Sequence, residues 1–152
     1  GVLFRKPELC YRLDRLLEGS GLAALSPEDF EYTDHQLFFR VIRQSLEQVE
    51  ADHHAYVTAR IPEDLLGLAK DLLSQTEKLD PVDDRLLEEL FRSVIKMRRL
   101  IVEANFNQLR FIMEDAQQEG DLRVKSYQEQ ALQYSRLRHN LDRALKSVNA
   151  RK

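Results

Sequence analysis

The residues best suited to chemistry are few and lie apart in the sequence. Asp52, His53 and His54 could donate ligands to a metal ion, but adjacent residues on a helix point about 100° apart, and no HxxxH spacing accompanies them. The single cysteine, Cys10, follows Leu9. An apolar setting favours a small core residue over a thiolate nucleophile, which needs a base or a positive charge nearby. These residues predict neither a metal site nor a nucleophile.

Paired carboxylates are the remaining candidates for acid–base chemistry. Asp83–Asp84 and Glu88–Glu89 fall in the first turns of a predicted helix, where acidic side chains complement the helix dipole. The sequence also lacks a GxGxxG, a P-loop and a GxSxG motif. We therefore expect no catalytic centre and no cofactor in this chain.

Composition indicates a helical protein. Of the 152 residues, 43% are hydrophobic and 32% charged, with no Trp and only five Gly, which favours helices over sheets. No window approaches the ~18 uninterrupted apolar residues that a membrane span needs, so no membrane association is expected. One cysteine excludes an internal disulfide and is typical of a reducing compartment, which predicts a cytoplasmic protein. The abrupt first residues suggest a piece of a longer polypeptide.

Residues 1–79 predict a small helical bundle. Pro7 opens an amphipathic helix that carries Leu9 and ends at Gly19-Ser20-Gly21, and Ser26-Pro27-Glu28-Asp29 reads as a capping box. Thr33 or Asp34 should cap the next helix. Its predicted core residues are Leu37, Phe38, Val41, Ile42, Leu46 and Val49. A bend or short polar helix should follow over 51–60, and a further helix should begin at 61–64.

Residues 80–152 predict a long helix and a C-terminal helical hairpin. Asp80 can cap a helix with Pro81 at its first position, and no Pro or Gly interrupts it before Gly120, where a left-handed stop should reverse the chain. The predicted stripe of this long helix is Leu87, Leu90, Val94, Met97, Ile101, Ala104, Leu109, Ile112 and Ala116. An Asp N-cap at Asp121 should start the returning helix, whose predicted seam is Tyr127, Ala131, Tyr134, Leu137, Leu141, Leu145 and Val148. The predicted fold class is all-α, a small bundle joined by a long helix to an antiparallel hairpin.

The charge is distributed unevenly along the chain. The segment from Asp121 onward holds eight basic and three acidic residues, a net charge of +5, so residues 1–120 carry −8 of the total of −3. A basic arm on an acidic body suggests an acidic partner or a phosphate backbone, although solvated helix faces explain it equally well. Tyr127 and Tyr134 lie seven residues apart, which indicates helix packing rather than base stacking. We therefore do not expect direct contact with nucleic acid.

Three short segments resemble a known family. Residues 4–9, 25–30 and 35–38 read FRKPEL, LSPEDF and HQLF. In this order they are similar to the helicase-binding C-terminal domain of bacterial DNA primases of the DnaG type. The same pattern occurs in the N-terminal domain of DnaB-type replicative helicases, which shares that fold. The resemblance covers residues 4 to 40 by motif and the rest by architecture.

This resemblance implies a module that docks a primase onto the N-terminal domain of the replicative helicase for RNA primer synthesis at the replication fork. The hairpin would supply most of the affinity and the bundle a regulatory contact. Zinc and divalent metal ions would be needed only by primase domains upstream of this chain. Alone, the module should be monomeric.

Candidate partner-binding residues on the hairpin are Phe111, Tyr127, Leu132, Arg136, Arg138, Leu141 and Leu145. Two alternatives stay open. One is the helicase's own N-terminal domain, which self-associates, and the other is a nucleic-acid-binding helical domain that uses the basic tail.

Overall fold

The computed structural model describes residues 1–150 and confirms the all-α fold. It contains seven α-helices and no strand in that part of the chain, and 77% of the residues are helical. Arg151 and Lys152, which contribute to the predicted basic tail, lie outside the described residues.

The chain divides into two compact units, residues 1–91 and residues 92 onward. The first holds α1 to α5, two short 3₁₀ turns at Pro27–Asp29 and Glu63–Leu65, and the start of α6. The bounds of the first five helices are Val2–Arg5 (α1), Leu9–Gly19 (α2), Thr33–Leu46 (α3), His53–Arg60 (α4) and Leu66–Gln75 (α5). The last two are Asp83–Glu119 (α6) and Val124–Asn149 (α7). The division falls inside α6, whereas the sequence-based boundary after residue 79 precedes that helix.

Two predicted local signals of the first unit are confirmed. Helix α2 ends where Gly21 takes a φ of 77°, and the Leu22 N–H donates to the Leu17 carbonyl at 3.0 Å. These are the features of a glycine-terminated Schellman motif. In the capping box, the Ser26 N–H donates to Asp29 Oδ2 at 3.0 Å. Each loop is therefore closed by a hydrogen bond from a backbone N–H group, to a carbonyl in one case and to the Asp29 carboxylate in the other.

Leucine and phenylalanine side chains fill the core of the first unit. Leu13 and Leu17 of α2 are fully buried, and the rings of Phe4 and Phe38 meet edge to face with centroids 4.8 Å apart. Beside them, Arg43 on α3 forms an ion pair of 2.6 Å with Asp14 on α2 and donates to the Leu25 carbonyl. Apolar packing and the polar contacts of Arg43 thus hold α2, α3 and the loop between them together.

Two sequence-based expectations about α3 need correction. Neither Thr33 nor Asp34 caps α3, because Tyr32 occupies the N-cap position without a side-chain cap, and the Gln36 amide donates to the Phe30 carbonyl instead. Val49 is 98% exposed because α3 ends at Leu46, before the apolar spacing reaches it.

Helix α6 begins at Asp83 rather than at Pro81, because the Asp80 carboxylate accepts from the Val82 N–H and closes a local turn first. Among residues 1–150, no helix is both long and apolar enough to cross a lipid bilayer.

Candidate docking surface on the helical hairpin

The glycine stop that reverses the chain after α6 is built as predicted, but the prediction of Asp121 as the N-cap of α7 is wrong, because Arg123 occupies that position. Gly120 takes a φ of 67°, and the Asp121 N–H donates to the Ala116 carbonyl at 2.8 Å. The left-handed conformation costs a glycine little because it has no Cβ. The Asp121 carboxylate then accepts from the backbone N–H of Arg123, and α7 begins at Val124, three residues after the predicted cap.

A short ion pair reinforces this turn. The guanidinium of Arg123 donates to Asp121 Oδ2 at 2.8 Å. This hydrogen bond, followed by the one from the Arg123 backbone, lowers the pKa of Asp121 below its ordinary value. Because the pair is exposed, it orients the turn more than it stabilises the fold.

Polar contacts fix α6 and α7 in an antiparallel register. Arg99 Nε lies 3.1 Å from Asp142 Oδ1, and Arg92 Nε donates to Asn149 Oδ1 at 3.3 Å. The two pairs are seven residues apart in each helix, so α7 runs back along α6 in step with it. This is the periodicity of coiled-coil packing.

The seam that α6 contributes agrees with the predicted stripe at Leu109 and Ala116 but departs from it at other positions. Val102, Leu109 and Ala116 are buried at seven-residue spacing, and Phe106 is half-buried. The predicted members Ile101, Ala104 and Ile112 are exposed instead. The helix carries two apolar stripes, and periodicity alone does not tell which one faces α7.

The seam of α7 is largely as predicted. Leu141 and Val148 are buried and Tyr127, Tyr134 and Leu145 are half-buried. Leu137, predicted to lie in the seam, is 40% exposed, while Arg138 follows the seven-residue repeat of the half-buried Ala131 and Leu145. A long basic side chain can lay its methylene groups along apolar neighbours while its charge reaches solvent.

A shallow groove of about 190 Å³ lies along one edge of the seam. Phe106 and Tyr134 provide apolar walls, and Glu103 and Arg138 stand at its rim. No ion pair joins Glu103 to Arg138 among the described residues, so both charges remain able to contact another molecule.

The outer stripe of α6 is an exposed apolar surface of the hairpin. We use this name for Leu100, Ile101, Ala104, Phe111 and Ile112. Leu100 and Phe111 are 68% and 70% exposed, and each lies two residues from a buried seam residue, about 200° around the helix. Leu100, Ala104 and Phe111 therefore point away from α7, whereas Ile101 and Ile112 lie on the flank of the helix.

The seven partner-binding candidates fall into two groups. Phe111, Leu132, Arg136 and Arg138 are exposed, with Phe111 on α6 and the other three on α7. Tyr127, Leu141 and Leu145 contribute to the interior, since Leu141 is completely buried and the other two are half-buried.

Sequence reasoning missed four of the five members of this surface. Leu100 was outside every predicted stripe, and Ile101, Ala104 and Ile112 were placed in the interior. The signal that could have found Leu100 is its spacing of eleven residues from Phe111, about three helical turns.

The residues first considered for chemistry have structural partners. The Asp52 carboxylate caps α4 by accepting from the Ala55 N–H, while His53 and His54 donate to the carbonyls of Ser45 and Phe4 at 3.0 and 2.8 Å. Within residues 1–150, no group of three or more His, Cys, Asp or Glu side chains comes together as it would around a metal ion.

The remaining candidates for chemistry are held in the same way. Asp83 and Asp84 form ion pairs with Lys6 and Arg12. Cys10 is fully buried, and burial raises the pKa of its thiol to about 12. Lys6 and Arg12 thus hold both aspartates within the first unit.

No family model matches this chain, and neither a curated protein nor a solved structure matches it.

Proposed function

We propose that this chain is a protein-docking module that binds its partner through the outer stripe of α6. The observation that carries the proposal is the exposure of Leu100 and Phe111 on a helix whose opposite face already packs in the hairpin seam. Large apolar side chains that remain exposed together on one helix face are typical of a contact surface. No catalytic role is proposed for these residues.

The stripe has the spacing that a partner helix requires. Leu100, Ile101 and Ala104 lie within four residues of one another, and Phe111 and Ile112 are adjacent. The seven-residue step from Ala104 to Phe111 passes the polar Asn107 and Gln108, and the members form one strip along the helix. A partner helix with an apolar face could bury this strip as a helix buries its face in a groove. In such contacts a few aromatic or large apolar side chains carry most of the binding free energy. Phe111 is the strongest candidate for that role.

The partner that we propose is the N-terminal domain of a replicative helicase, with the chain acting as the helicase-binding module of a primase. The support is the resemblance of residues 4–9, 25–30 and 35–38 to that primase domain, together with a layout of helical bundle, long helix and hairpin. In this proposal the module brings primer synthesis to the fork, acts as a monomer and needs no cofactor of its own.

The first test measures binding to the N-terminal domain of the replicative helicase from the same organism. Phe111→Ser should weaken binding about thirtyfold or more, since removing a central anchor costs about 2 kcal/mol or more. Val49→Ser is the matched control, because Val49 is an exposed apolar residue outside the hairpin. It should leave binding unchanged. No binding by the unaltered chain would refute the proposed partner, and equal effects of both variants would refute the proposed surface.

Sedimentation separates this function from its closest alternative. A helicase N-terminal domain self-associates, and the outer stripe would also suit contact with a second copy. A concentration-independent monomer supports the primase module. Self-association abolished by Phe111→Ser would favour the helicase domain instead.

A further inference from the structure

The outward face of α7 carries a line of basic side chains in the half of the helix far from the turn. We call Arg136, His139, Arg143 and Lys146 the basic stripe. They follow one another at three- and four-residue steps, so they lie on one face of α7, and all four are exposed. The line extends about 15 Å along the helix axis.

Nothing in the described part of the chain neutralises this stripe. No ion pair or side-chain hydrogen bond joins Arg136, Arg143 or Lys146 to another of residues 1–150. The nearest acid in sequence, Asp142, is held by Arg99. Glu129 lies seven residues before Arg136, about two turns nearer the hairpin turn. The cations are therefore concentrated locally in a chain whose total charge is −3.

The residue types in and around the basic stripe indicate which class of partner it binds. A protein interface has a core of apolar and aromatic side chains from which charged residues are depleted. Of the apolar residues of this stretch, Leu141, Ala144 and Leu145 are buried or half-buried, and Leu137, which is 40% exposed, lies about 100° around the helix from Arg136. A phosphate backbone, in contrast, is bound mainly by lysine and arginine and needs no apolar core.

We infer that the basic stripe binds the phosphate backbone of nucleic acid without regard to sequence. This inference departs from the sequence-based expectation of no direct nucleic-acid contact, which took Tyr127 and Tyr134 as packing rather than stacking residues. Both tyrosines are indeed half-buried, but phosphate contact does not need them. The inference does not rest on the proposed helicase partner, since the outer stripe of α6 is a separate surface.

The test is fluorescence anisotropy with labelled oligothymidylate and with a labelled duplex, over a salt series that starts at about 50 mM. The variant replaces Arg136, Arg143 and Lys146 with Gln. The matched control replaces Arg15, Arg40 and Lys70 with Gln, because these are also exposed cations and their loss changes the net charge equally. Circular dichroism verifies that both variants keep their helix content.

The unaltered chain should bind at least one of the two probes with an affinity that falls as salt rises. The triple variant should lose about tenfold or more at low salt, and on the single strand its slope of log K against log salt should be smaller by about 2. The control should bind within about twofold of the unaltered chain, as expected if position rather than net charge matters.

Three results would overturn the inference. The first is the absence of salt-dependent binding to both probes by the unaltered chain, and the second is an equal loss in the triple variant and its control. The third is unchanged nucleic-acid binding by the triple variant, and weakened helicase binding by the same variant would then assign the basic stripe to an acidic protein surface.

Discussion

Cys10 illustrates how burial decides reactivity at the scale of one residue. Its side chain is fully buried, and burial raises the pKa of the thiol to about 12, so almost no thiolate exists at neutral pH. We predict that Ellman's reagent modifies Cys10 only as fast as the first unit opens. Labelling in native buffer and in urea would be compared by absorbance. Rapid stoichiometric labelling in native buffer would contradict the prediction.

Asp83 provides a prediction about pH. Lys6 Nζ lies 2.5 Å from Asp83 Oδ1, and this hydrogen bond lowers the pKa of Asp83 below its ordinary value of 3.8. The folded protein therefore binds this proton less readily than the unfolded chain. The contribution to stability is present above the unfolded pKa and disappears as the pH falls through the lowered pKa.

Lys6→Met should raise the pKa of Asp83 toward 3.8, because the largest cause of its shift is removed. A carboxyl-detected NMR titration measures this value directly. Lys70→Met is the control, since Lys70 is exposed and has no recorded contact with Asp83 in the described chain. An identical pKa of Asp83 in the Lys6 variant and in the unaltered chain would refute the proposed ion pair.

Leu141 and Leu132 test the two sides of α7. Leu141 is completely buried, whereas Leu132 is 53% exposed. Leu141→Ala should lower the free energy of unfolding by about 3 kcal/mol because it leaves a cavity. Leu132→Ala should change it by less than about 0.5 kcal/mol. Urea denaturation followed by circular dichroism measures both, and similar losses would place the seam of α7 elsewhere.

At the scale of elements, alanine substitutions at Gly120 and Gly67 test the helix boundaries as a matched pair of variants. Gly120 ends α6 with a φ of 67°, whereas Gly67 lies in the first turn of α5 with open space around its missing Cβ. Gly120→Ala should cost about 1 kcal/mol because an alanine is strained at positive φ. Gly67→Ala should gain about 0.5 kcal/mol, since alanine favours the helix. Thermal unfolding should show shifts of opposite sign, and a stabilising Gly120→Ala would contradict the proposed turn.

The glycine stops and the capping box could be predicted because local chemistry determines them, whereas the caps predicted at Thr33 or Asp34 and at Asp121 were wrong. The stop at Gly120 needs a residue that tolerates positive φ, and the capping box at Ser26 needs a hydroxyl and a carboxylate three residues apart. Those signals lie within a few residues, so the sequence alone was sufficient.

The register of the hairpin could not be predicted in full because it depends on a distant partner. Ile101 and Val102 are both β-branched apolar residues, and only the position of α7 decides which one is buried. The same ambiguity hid the docking surface, since Leu100 becomes notable only once its helix face is known to be exposed. The place of Arg138 in the seam repeat was missed because a charged residue is not expected there.

At the scale of the whole molecule, the second unit depends on α7 for its cohesion. Ending the chain after Gly120 would remove Tyr134 and Leu141 and leave Val102, Leu109 and Ala116 uncovered. An isolated helix in water is marginally stable, so we predict that α6 frays over 102–116. Amide hydrogen exchange should show lost protection there, while α2 stays protected. Full protection of 102–116 in the shortened chain would refute this dependence.

Because the Arg92–Asn149 and Arg99–Asp142 contacts lie seven residues apart in each helix, the hairpin can be shortened by whole repeats. Removing 103–109 from α6 and 132–138 from α7 would take one repeat from each helix, and the remaining seam positions would still face each other. The turn at Gly120 would move about 10 Å closer to the start of the hairpin without rotating the helices about their axes. The reach of this hairpin is thus set by the number of its repeats, and it can change in whole repeats without redesign of the seam.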